Sequence, residues 1–403
     1  MRLTIERLGH LGDGIAAGPV FVPMALPGEV VEGEIEGGRM AAPKIITPSP
    51  DRVRPPCPHY RACGGCALMH ASDAFVAAWR EDVVRTALAA QGIEPPLRPA
   101  ITSPVRSRRR ATLAGRRTKK GAIVGLHGRA SGTVVEVPEC LVLHPDLTAA
   151  LSALGEITAA GASRKGEVAL ALTRGEGGLD LAVTGGKPLE QSLFATLSAI
   201  AGRADLARLT WNGEIVAGRR AVAQRFGNAR VVPPPGAFLQ ATEAGEAALV
   251  AAVREAVGPA RRIADLFAGA GTFSLPLSEA AEIHAVEGET AMLAALDAGW
   301  RQARGLQRIT TEARDLFRRP LMPDELKRHD AVVVDPPRAG AEAQMREIAA
   351  SPVRIVAAVS CNPVTFARDA RILTGAGFAL DWVQVVDQFR WSPHVELAAR
   401  LSR

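Results

Sequence analysis

Long apolar runs are missing from this sequence of 403 residues. No run approaches the roughly 18 uninterrupted apolar residues that a membrane helix needs. The opening stretch MRLTIERLGHLGDG also lacks the charged, apolar and small-residue layout of a signal peptide. From these two absences we expect a cytoplasmic protein without a membrane partner.

Two motif spacings are missing as well. The glycine loop in DLFAGAGTFSL lacks the third glycine of G-x-G-x-x-G, which disfavours NAD as a cofactor. The five cysteines do not follow the C-x3-C-x2-C spacing of radical S-adenosylmethionine enzymes, which argues against radical chemistry.

The composition is that of an ordinary soluble globular protein, with 47% hydrophobic and 22% charged residues. A net charge of +6 fits a polyanionic partner. Eight basic residues without an intervening acid flank ATLAG, which alternates like a strand edge, and they either form a solvated face or contact phosphates. These residues are Arg106, Arg108, Arg109, Arg110, Arg116, Arg117, Lys119 and Lys120.

The chain length and the local patterns predict three domains. Residues 1–54 carry short alternating runs such as RLTIERL and EVVEGEIEGG, which suggest a small β-barrel. Residues 55–235 are mostly strand-like, with a helix over 72–92 that could instead pack on the next domain and a hairpin in VALALTRGEGGLDLAVTG. Residues 236–403 alternate strand and helix, which predicts a doubly wound α/β domain.

The loop DLFAGAGTFSL joins a strand to a helix. Gly269 and Gly271 let its backbone turn tightly and approach a ligand, and Glu287 ends the next strand, where an acid suits ribose hydroxyls. This arrangement resembles the class I S-adenosylmethionine-dependent methyltransferases. Asp315 in ARDLF either lies near the adenine, as that resemblance implies, or caps a helix.

Two further strands end in residues with reactive side chains. VVVDPPRAG places Asp335 at the edge of the sheet where ligands bind, and Arg338 stands where amino-directed methyltransferases carry an aromatic residue. AVSCNP places Cys361 on the same rim if the two strands are parallel. A thiolate there could add to a pyrimidine ring, although a lone cysteine is more often a buried hydrophobic residue.

A base is needed to remove the ring proton after such an addition. SPHVELAARL supplies His394 and Glu396, two positions apart and therefore expected on the same face of a strand. Glu396 could equally be a surface carboxylate.

In their order along the chain, FLQATEAGEAAL, DLFAGAGTFSL, AVEGE, VVVDPPRAG, SCNPVTFARD and DQFRWSPHVE closely resemble the RNA uracil-carbon-5 methyltransferases, which make 5-methyluridine. The resemblance implies an N-terminal OB-like TRAM barrel and a C-terminal Rossmann-like class I methyltransferase domain. It implies that Cys361 attacks uracil carbon 6 and that Glu396 takes the carbon-5 proton. It also implies that Asp335 lies between methyl donor and uracil, and that the donor site is lined by Gln240, Phe267, Thr272, Glu287 and Asp315.

This sequence departs from the family pattern at three positions. Thr272 stands where asparagine is frequent, Arg390 stands where proline is usual, and Pro393 directly precedes His394. The first departure puts one donor contact in doubt, and the other two put the placement of His394 in doubt.

Four cysteines, Cys57, Cys63, Cys66 and Cys140, remain after Cys361 is set aside. Their count fits a four-cysteine zinc site, but three clustered cysteines and a distant fourth are more typical of a 4Fe-4S cluster. Iron-sulfur members of the resembled family carry the same pattern, which favours the cluster, in a structural role.

The resemblance implies RNA as the substrate. Iron-sulfur members with a TRAM domain typically modify 23S rRNA, which is therefore the first choice, and tRNA stays open. A non-catalytic RNA-binding assembly factor and an amino-group methyltransferase are the rival interpretations. We expect a monomer.

Overall fold

The computed structural model describes all 403 residues of the protein. Its strands form three sheets of five, seven and eight strands and one two-stranded hairpin. No helix combines the length and the apolar character that crossing a membrane would require.

The first sheet is antiparallel and has the order β3-β2-β1-β4-β5. Its strands are short, as the alternating runs predict, and one face buries a small core that includes Ile5, Val22, Val31 and Met40. Closure of this sheet into an OB-like barrel stays a prediction. The strands are β1 (Arg2–Leu8), β2 (Gly14–Ala16), β3 (Val20–Val22), β4 (Val30–Glu32) and β5 (Lys44–Thr47).

The helix predicted over 72–92 is present as α1 (Asp73–Ala89) and is followed by β6 (Leu97–Thr102). The Ser72 hydroxyl accepts a hydrogen bond from the amide of Phe75 at 3.2 Å, which caps the first turn. Beyond the helix, Gly92 adopts a left-handed φ of 71°, which a side chain would strain.

The seven-stranded sheet has the order β13-β12-β11-β10-β7-β8-β9. The predicted hairpin is present as the antiparallel pair β10 and β11. The ATLAG strand β7 lies between β10 and β8, so it is an interior strand and not the expected edge. The elements are β7 (Arg110–Arg117), β8 (Ala122–His127), β9 (Val134–Val135), α2 (Pro145–Ala149), α3 (Leu151–Gly161), β10 (Glu167–Gly175), β11 (Gly178–Thr184), α4 (Gln191–Arg203), β12 (Arg208–Trp211) and β13 (Glu214–Gly218). A hairpin of β14 (Gln224–Phe226) and β15 (Ala229–Val231) follows.

The last segment alternates strand and helix, as the pattern predicts. Its elements are α5 (Glu243–Val257), β16 (Arg262–Leu266), α6 (Ser274–Leu277), β17 (Glu282–Glu287), α7 (Thr290–Gln302), β18 (Ile309–Ala313), α8 (Pro323–Leu326), β19 (Ala331–Val334), α9 (Glu342–Ala350), β20 (Ile355–Ser360), α10 (Pro363–Gly375), β21 (Ala379–Asp387) and β22 (Glu396–Ser402).

These strands form the sheet β18-β17-β16-β19-β20-β22-β21-β6. The first five are mutually parallel, and β22 runs antiparallel to both β20 and β21. Strand β6, which comes from the middle of the chain, adds in parallel to β21 at the edge of the sheet. The result is a mostly parallel, Rossmann-like sheet with one reversed strand.

Both faces of this sheet are covered. One face packs against α9, α10 and the α1 residues Val84 and Leu88. The other packs against α5, α7 and the β14-β15 hairpin, through residues such as Phe226 and Val231. Segments from before residue 236 therefore complete the core of the C-terminal sheet on both sides. The division at 54/55 and 235/236 stays a prediction.

Candidate active site

The chemistry-bearing residues lie where parallel strands end. Glu287 closes β17, Asp335 follows β19 and Cys361 follows β20. Because the carboxyl ends of parallel strands meet at one edge of a sheet, these three side chains share the rim where ligands of such folds bind.

The glycine loop after β16 is tied to the acid of the next strand. One carboxylate oxygen of Glu287 accepts from the amide of Gly269 at 3.0 Å, and the other accepts from the amide of Glu289 at 2.9 Å. Gly269 and Gly271 have left-handed φ values of 56° and 97°. The loop thus needs glycine at both positions, and Glu287 lies against it as expected.

Two phenylalanines border this loop. Phe267 is held at a left-handed φ of 62°, and its ring centroid lies 5.4 Å from that of Phe317, which is half-exposed. Asp315 accepts from the amides of Phe317 at 3.0 Å and Arg318 at 3.4 Å, so it caps its own turn beside the aromatic pair. The sequence analysis did not predict a role for Phe317. The signal that could have indicated one is its place in ARDLF, the segment in which β18 ends.

Two carboxyl groups lie under the rim, Asp265, which is buried, and Asp335, which is partly buried. Burial raises the pKa of Asp265 to about 7, although its Oδ2 accepts from the Ser274 hydroxyl at 2.5 Å. Its Oδ1 is buried without a hydrogen-bond partner. Burial, followed by the charges of Glu396 and Asp265, raises the pKa of Asp335 well above its usual range. The interior of the site therefore favours a cation.

The Cys361 thiol lies close enough to the Glu396 and Asp335 carboxyl groups for their charges to change its pKa. Burial, together with the carboxyl groups of Glu396 and Asp335, raises its pKa to about 11, with the Arg338 guanidinium acting in the opposite direction. Cys361 is only partly buried and lines an open cleft. The structure thus brings the predicted nucleophile and the predicted base into one site.

Glu396 is 3% exposed and opens β22, next to the strand that ends before Cys361. Burial raises its pKa to about 7. The Gln388 side-chain amide donates to the Glu396 carboxylate at 3.0 Å and to the side-chain oxygen Oε1 of Gln240 at 2.6 Å. Gln240 is therefore linked to the proposed base, Glu396, through the side chain of Gln388. Sequence reasoning missed Gln388, although it directly follows the end of β21.

His394 does not share a strand face with Glu396, so that expectation is wrong. Strand β22 begins at Glu396, and His394 lies in the preceding loop, where the serine and proline before it interrupt the strand. An Arg338 guanidinium nitrogen lies 2.9 Å from His394 Nδ1. His394 therefore belongs with Arg338 at the mouth of the site.

A cleft of about 1240 Å³ leads to Cys361. One wall is the rim itself, including Arg338 and His394; another is the exposed side of α1, and the third comes from the first sheet, including Arg7 and His10. Three parts of the chain that are far apart in sequence thus meet around the candidate nucleophile.

Thr272 lines a different cavity, of about 690 Å³, between the middle sheet and α5. Its walls include Arg109, whose guanidinium pairs with Glu246 at 2.5 Å. Arg116 pairs with Glu167 at 2.8 Å on the surface, so two residues of the basic run are paired with acids, Arg109 in the interior and Arg116 at the surface. The exposed remainder includes Arg106, Lys119 and Lys120.

The four remaining cysteines are free thiols, and no group of three or more His, Cys, Asp or Glu side chains is arranged to hold a metal ion. Burial, together with the nearby thiols of Cys140, Cys63 and Cys57, raises the pKa of Cys66 to about 12. The amide of Gly65 donates to Cys63 Sγ at 3.4 Å. The thiols are therefore neighbours, but the iron-sulfur cluster stays a prediction.

Sheet topology, glycine loop and rim residues together define a methyltransferase with a Rossmann-like fold. A family model described as tRNA (Uracil-5-)-methyltransferase matches residues 188–403. An RNA methyltransferase of Brucella suis is 44% identical, with 100% of this chain and 98% of the relative aligned. The 23S rRNA (uracil(1939)-C(5))-methyltransferase RlmD of Halomonas elongata is 34% identical over 98% of this chain and 88% of its own length.

Among solved structures, the tRNA (uracil-54, C5)-methyltransferase of Pyrococcus abyssi, in complex with S-adenosyl-L-homocysteine, matches with a TM-score of 0.79. The match covers 100% of this chain and 99% of that one at 23% identity, which confirms the multi-domain α/β fold. The chain belongs to the tRNA (uracil-5-)-methyltransferase family. The expectation of an S-adenosylmethionine-dependent RNA (uracil-5-)-methyltransferase is thereby confirmed.

Proposed function

We propose that this enzyme transfers a methyl group to carbon 5 of a specific uridine in RNA through a covalent adduct between Cys361 and uracil carbon 6. One observation carries the proposal: Ser360, directly before Cys361, pairs with Leu397, directly after Glu396, so the strand register brings the thiol beside the buried carboxyl group, whose charge raises the thiol pKa. A nucleophile and a base within one site are what this route requires.

The rim fits S-adenosylmethionine as the methyl donor. Its sulfonium is a cation, and binding it would stabilise the charged forms of the Asp265 and Asp335 carboxyl groups, whose pKa values are raised in its absence. Glu287 would accept from the ribose hydroxyls, and Phe267 and Phe317 offer apolar walls for the adenine. The family resemblance also assigns Gln240, Thr272 and Asp315 to the donor site. The place of Asp315 beside the aromatic pair supports this assignment, whereas Thr272 lines the separate cavity beside α5.

In the first step the Cys361 thiol gives its proton to solvent water in the open cleft, and the resulting thiolate forms a bond to carbon 6 of the uracil. The electron pair of the carbon 5–carbon 6 double bond moves towards carbon 5 and the adjacent carbonyl oxygen. Arg338 supports the thiolate, because its guanidinium lowers the pKa of Cys361. The target nucleotide must leave its stack to enter the cleft.

S-adenosylmethionine, when bound, would supply an electrophilic methyl group: carbon 5 of the adduct forms the new carbon–carbon bond, and the broken sulfur–methyl bond leaves its electron pair on sulfur as S-adenosylhomocysteine. Glu396 then removes the carbon-5 proton, the C–H electron pair restores the double bond, and the sulfur leaves with the electrons of its bond to carbon 6. A pKa of about 7 suits Glu396 to this exchange near neutral pH.

The preferred substrate is 23S rRNA. The relative from Halomonas elongata that acts on 23S rRNA aligns with nearly the whole chain, and residues 1–54 supply one wall of the cleft, as an RNA-binding TRAM domain would. tRNA is the alternative substrate. On this proposal residues 55–235 form the central RNA-binding domain and residues 236–403 the methyltransferase domain of a monomeric cytoplasmic enzyme.

Cys57, Cys63, Cys66 and Cys140 would hold a structural 4Fe-4S cluster. Support comes from the mutual influence of the thiols and from the Gly65 amide that donates to Cys63 Sγ. Zinc bound by the four thiols is the alternative, and metal analysis of protein purified without oxygen distinguishes the two.

RNA that contains 5-fluorouridine tests the covalent route. Fluorine at carbon 5 cannot leave as a proton, so wild-type protein with S-adenosylmethionine should form a denaturation-stable RNA adduct, whereas the Cys361→Ala variant should form none. Mass mapping of the cross-linked peptide should place the bond on Cys361. Equal adduct formation by both proteins, or attachment at one of the other cysteines, would refute the proposed nucleophile.

A further inference from the structure

Arg80 lies in the middle of α1, and its side chain is fully buried. A buried guanidinium is costly unless ion pairs and hydrogen bonds compensate for lost water, so its partners indicate what it stabilises. Helix α1 precedes the proposed methyltransferase domain by more than a hundred residues of sequence, yet all partners of Arg80 lie near the C-terminus.

The partners of Arg80 all belong to the connection 387–394. A terminal nitrogen forms an ion pair with Asp387 at 2.7 Å, and another donates to the carbonyl oxygens of Ser392 at 2.8 Å and Phe389 at 3.3 Å. Nε donates to the carbonyl oxygen of His394 at 3.5 Å. One side chain thus holds this connection at both ends and in the middle.

This connection carries the groups that set the position of the proposed base. It joins β21 to β22 and contains Gln388, whose side-chain amide donates to Glu396. It ends two residues before Glu396, which begins β22. Trp391 within it has a left-handed φ of 61°, a conformation that a tryptophan adopts only when its surroundings impose it. Its carbonyl oxygen accepts from the amides of Ala67 at 2.8 Å and Leu68 at 2.9 Å.

We propose that Arg80 is a positioning residue for proton removal, which fixes the connection 387–394 and thereby the placement of Gln388 and Glu396 against the target carbon. Arg80 touches no reacting atom and acts through these two residues. This inference rests on the proposed function.

The proposal assigns Arg80 to one step of the reaction. If the connection shifts, proton removal is the step that slows most, because it alone uses Glu396, whereas Cys361 and Arg338 lie outside the connection. The methylated adduct then waits for the base to remove the carbon-5 proton, restore the double bond and release the sulfur. Displacement of a catalytic group by about 1 Å can cost up to about a hundredfold in rate.

The test compares Arg80→Lys with Arg208→Lys. Arg208 is a matched control, because it forms a largely buried pair with Asp180 at 2.7 Å and donates to the Pro233 carbonyl oxygen, away from the rim. Each full-length protein methylates RNA carrying either uridine or 5-deuterouridine, with methyl-labelled S-adenosylmethionine. The readouts are kcat, KM for the methyl donor, the deuterium isotope effect and the fraction of protein in labelled, denaturation-stable adduct.

Arg80→Lys should lower kcat by about ten- to a hundredfold with little change in KM, raise the isotope effect and accumulate methylated adduct. Arg208→Lys should change none of these. Asp387→Asn weakens the same ion pair from the other side and should reproduce the phenotype; it serves if Arg80→Lys fails to fold.

Loss of activity in proportion to loss of folded protein, with an unchanged isotope effect and no extra adduct in Arg80→Lys and Asp387→Asn, would overturn the positioning role. The proposed function fails in a different way: wild-type protein would then form no adduct, or Cys361→Ala would still methylate carbon 5.

Discussion

At the scale of single residues, Cys361 is governed by a balance of neighbouring charges. Two carboxyl groups and burial hold its pKa near 11, and one guanidinium opposes them. The resting enzyme therefore carries a thiol and not a thiolate at neutral pH. This state protects the nucleophile from oxidation and alkylation until substrate and donor, with its cationic sulfonium, are bound.

The charge balance predicts opposite effects from two substitutions. Glu396→Gln removes a charge that raises the pKa of Cys361 and should speed alkylation of this thiol by iodoacetamide at pH 9, by about three- to tenfold. Arg338→Met removes the opposing charge and should slow it. Peptide mass spectrometry follows Cys361 separately from the other four cysteines, and equal rates in the three proteins would contradict the account.

Glu396 should also make stability depend on pH. Its pKa is raised from 4.5 to about 7, so the folded state favours the protonated form. The stability that this preference contributes is full below about pH 4.5 and is lost as the pH rises through about 7. Glu396→Gln should therefore be more stable than wild type at pH 8, by on the order of 1–3 kcal/mol, with the gain vanishing at pH 4. Urea unfolding at both pH values measures this difference; a gain independent of pH would be inconsistent with a buried, titrating Glu396.

At the scale of secondary-structure elements, the glycine loop depends on one crowded position. A Cβ atom on Gly271 would lie 2.9 Å from Leu275 Cδ1 and 3.0 Å from Leu296 Cγ, at a φ of 97°. Gly305 also has a left-handed φ, of 74°, but a Cβ atom there meets nothing within 4 Å. A comparison of substitutions at the two glycines therefore separates the free-energy cost of backbone strain from that of steric crowding.

Gly271→Ala should cost about 2–4 kcal/mol of unfolding free energy, and it should weaken binding of S-adenosylmethionine because the loop backbone moves. Gly305→Ala should cost about 1–2 kcal/mol and leave binding unchanged. Chemical denaturation and calorimetric titration with the methyl donor give both quantities. Similar binding by the two variants would show that the Gly271 turn does not shape the donor site.

The same elements show how far sequence reasoning reached. Apolar strands that end in Glu287, Asp335 or Cys361 are predictable, because parallel strands bring their carboxyl ends to one edge whatever else the chain does. Gln388 and Arg80 were not predictable, because their roles depend on contacts between segments far apart in sequence. His394 was placed wrongly because a two-residue period says nothing about where a strand begins.

At the scale of the whole molecule, the C-terminal sheet is not completed by its own segment. Strand β6 adds to β21, α1 covers one face through Val84 and Leu88, and the β14-β15 hairpin covers the other. The change of pattern near residue 236 indicates where strand and helix begin to alternate. It could not show that earlier segments return to the same sheet, because that pairing is a tertiary contact.

A fragment of residues 236–403 should therefore fail to form a cooperative fold, because it exposes the apolar surfaces that α1, β6 and the hairpin cover. A fragment of residues 72–403 retains all three and should unfold cooperatively. Near-ultraviolet circular dichroism during thermal unfolding compares the two fragments. Cooperative unfolding of the shorter fragment would show that residues 236–403 are a self-sufficient domain.

The cleft beside Cys361 is lined by the first sheet with its loops, by α1 and by the catalytic rim, so three separate parts of the molecule border the proposed entrance for RNA. The measurement that tests the central claim most directly is mass mapping of 5-methyluridine in 23S rRNA and tRNA. Each RNA, transcribed without modifications, is incubated with S-adenosylmethionine and either wild-type protein, Cys361→Ala or Glu396→Gln. The account predicts that wild-type protein methylates one uridine in 23S rRNA and that neither variant yields free RNA containing 5-methyluridine. Methylation by Cys361→Ala, or a methyl group at any position other than carbon 5, would contradict it.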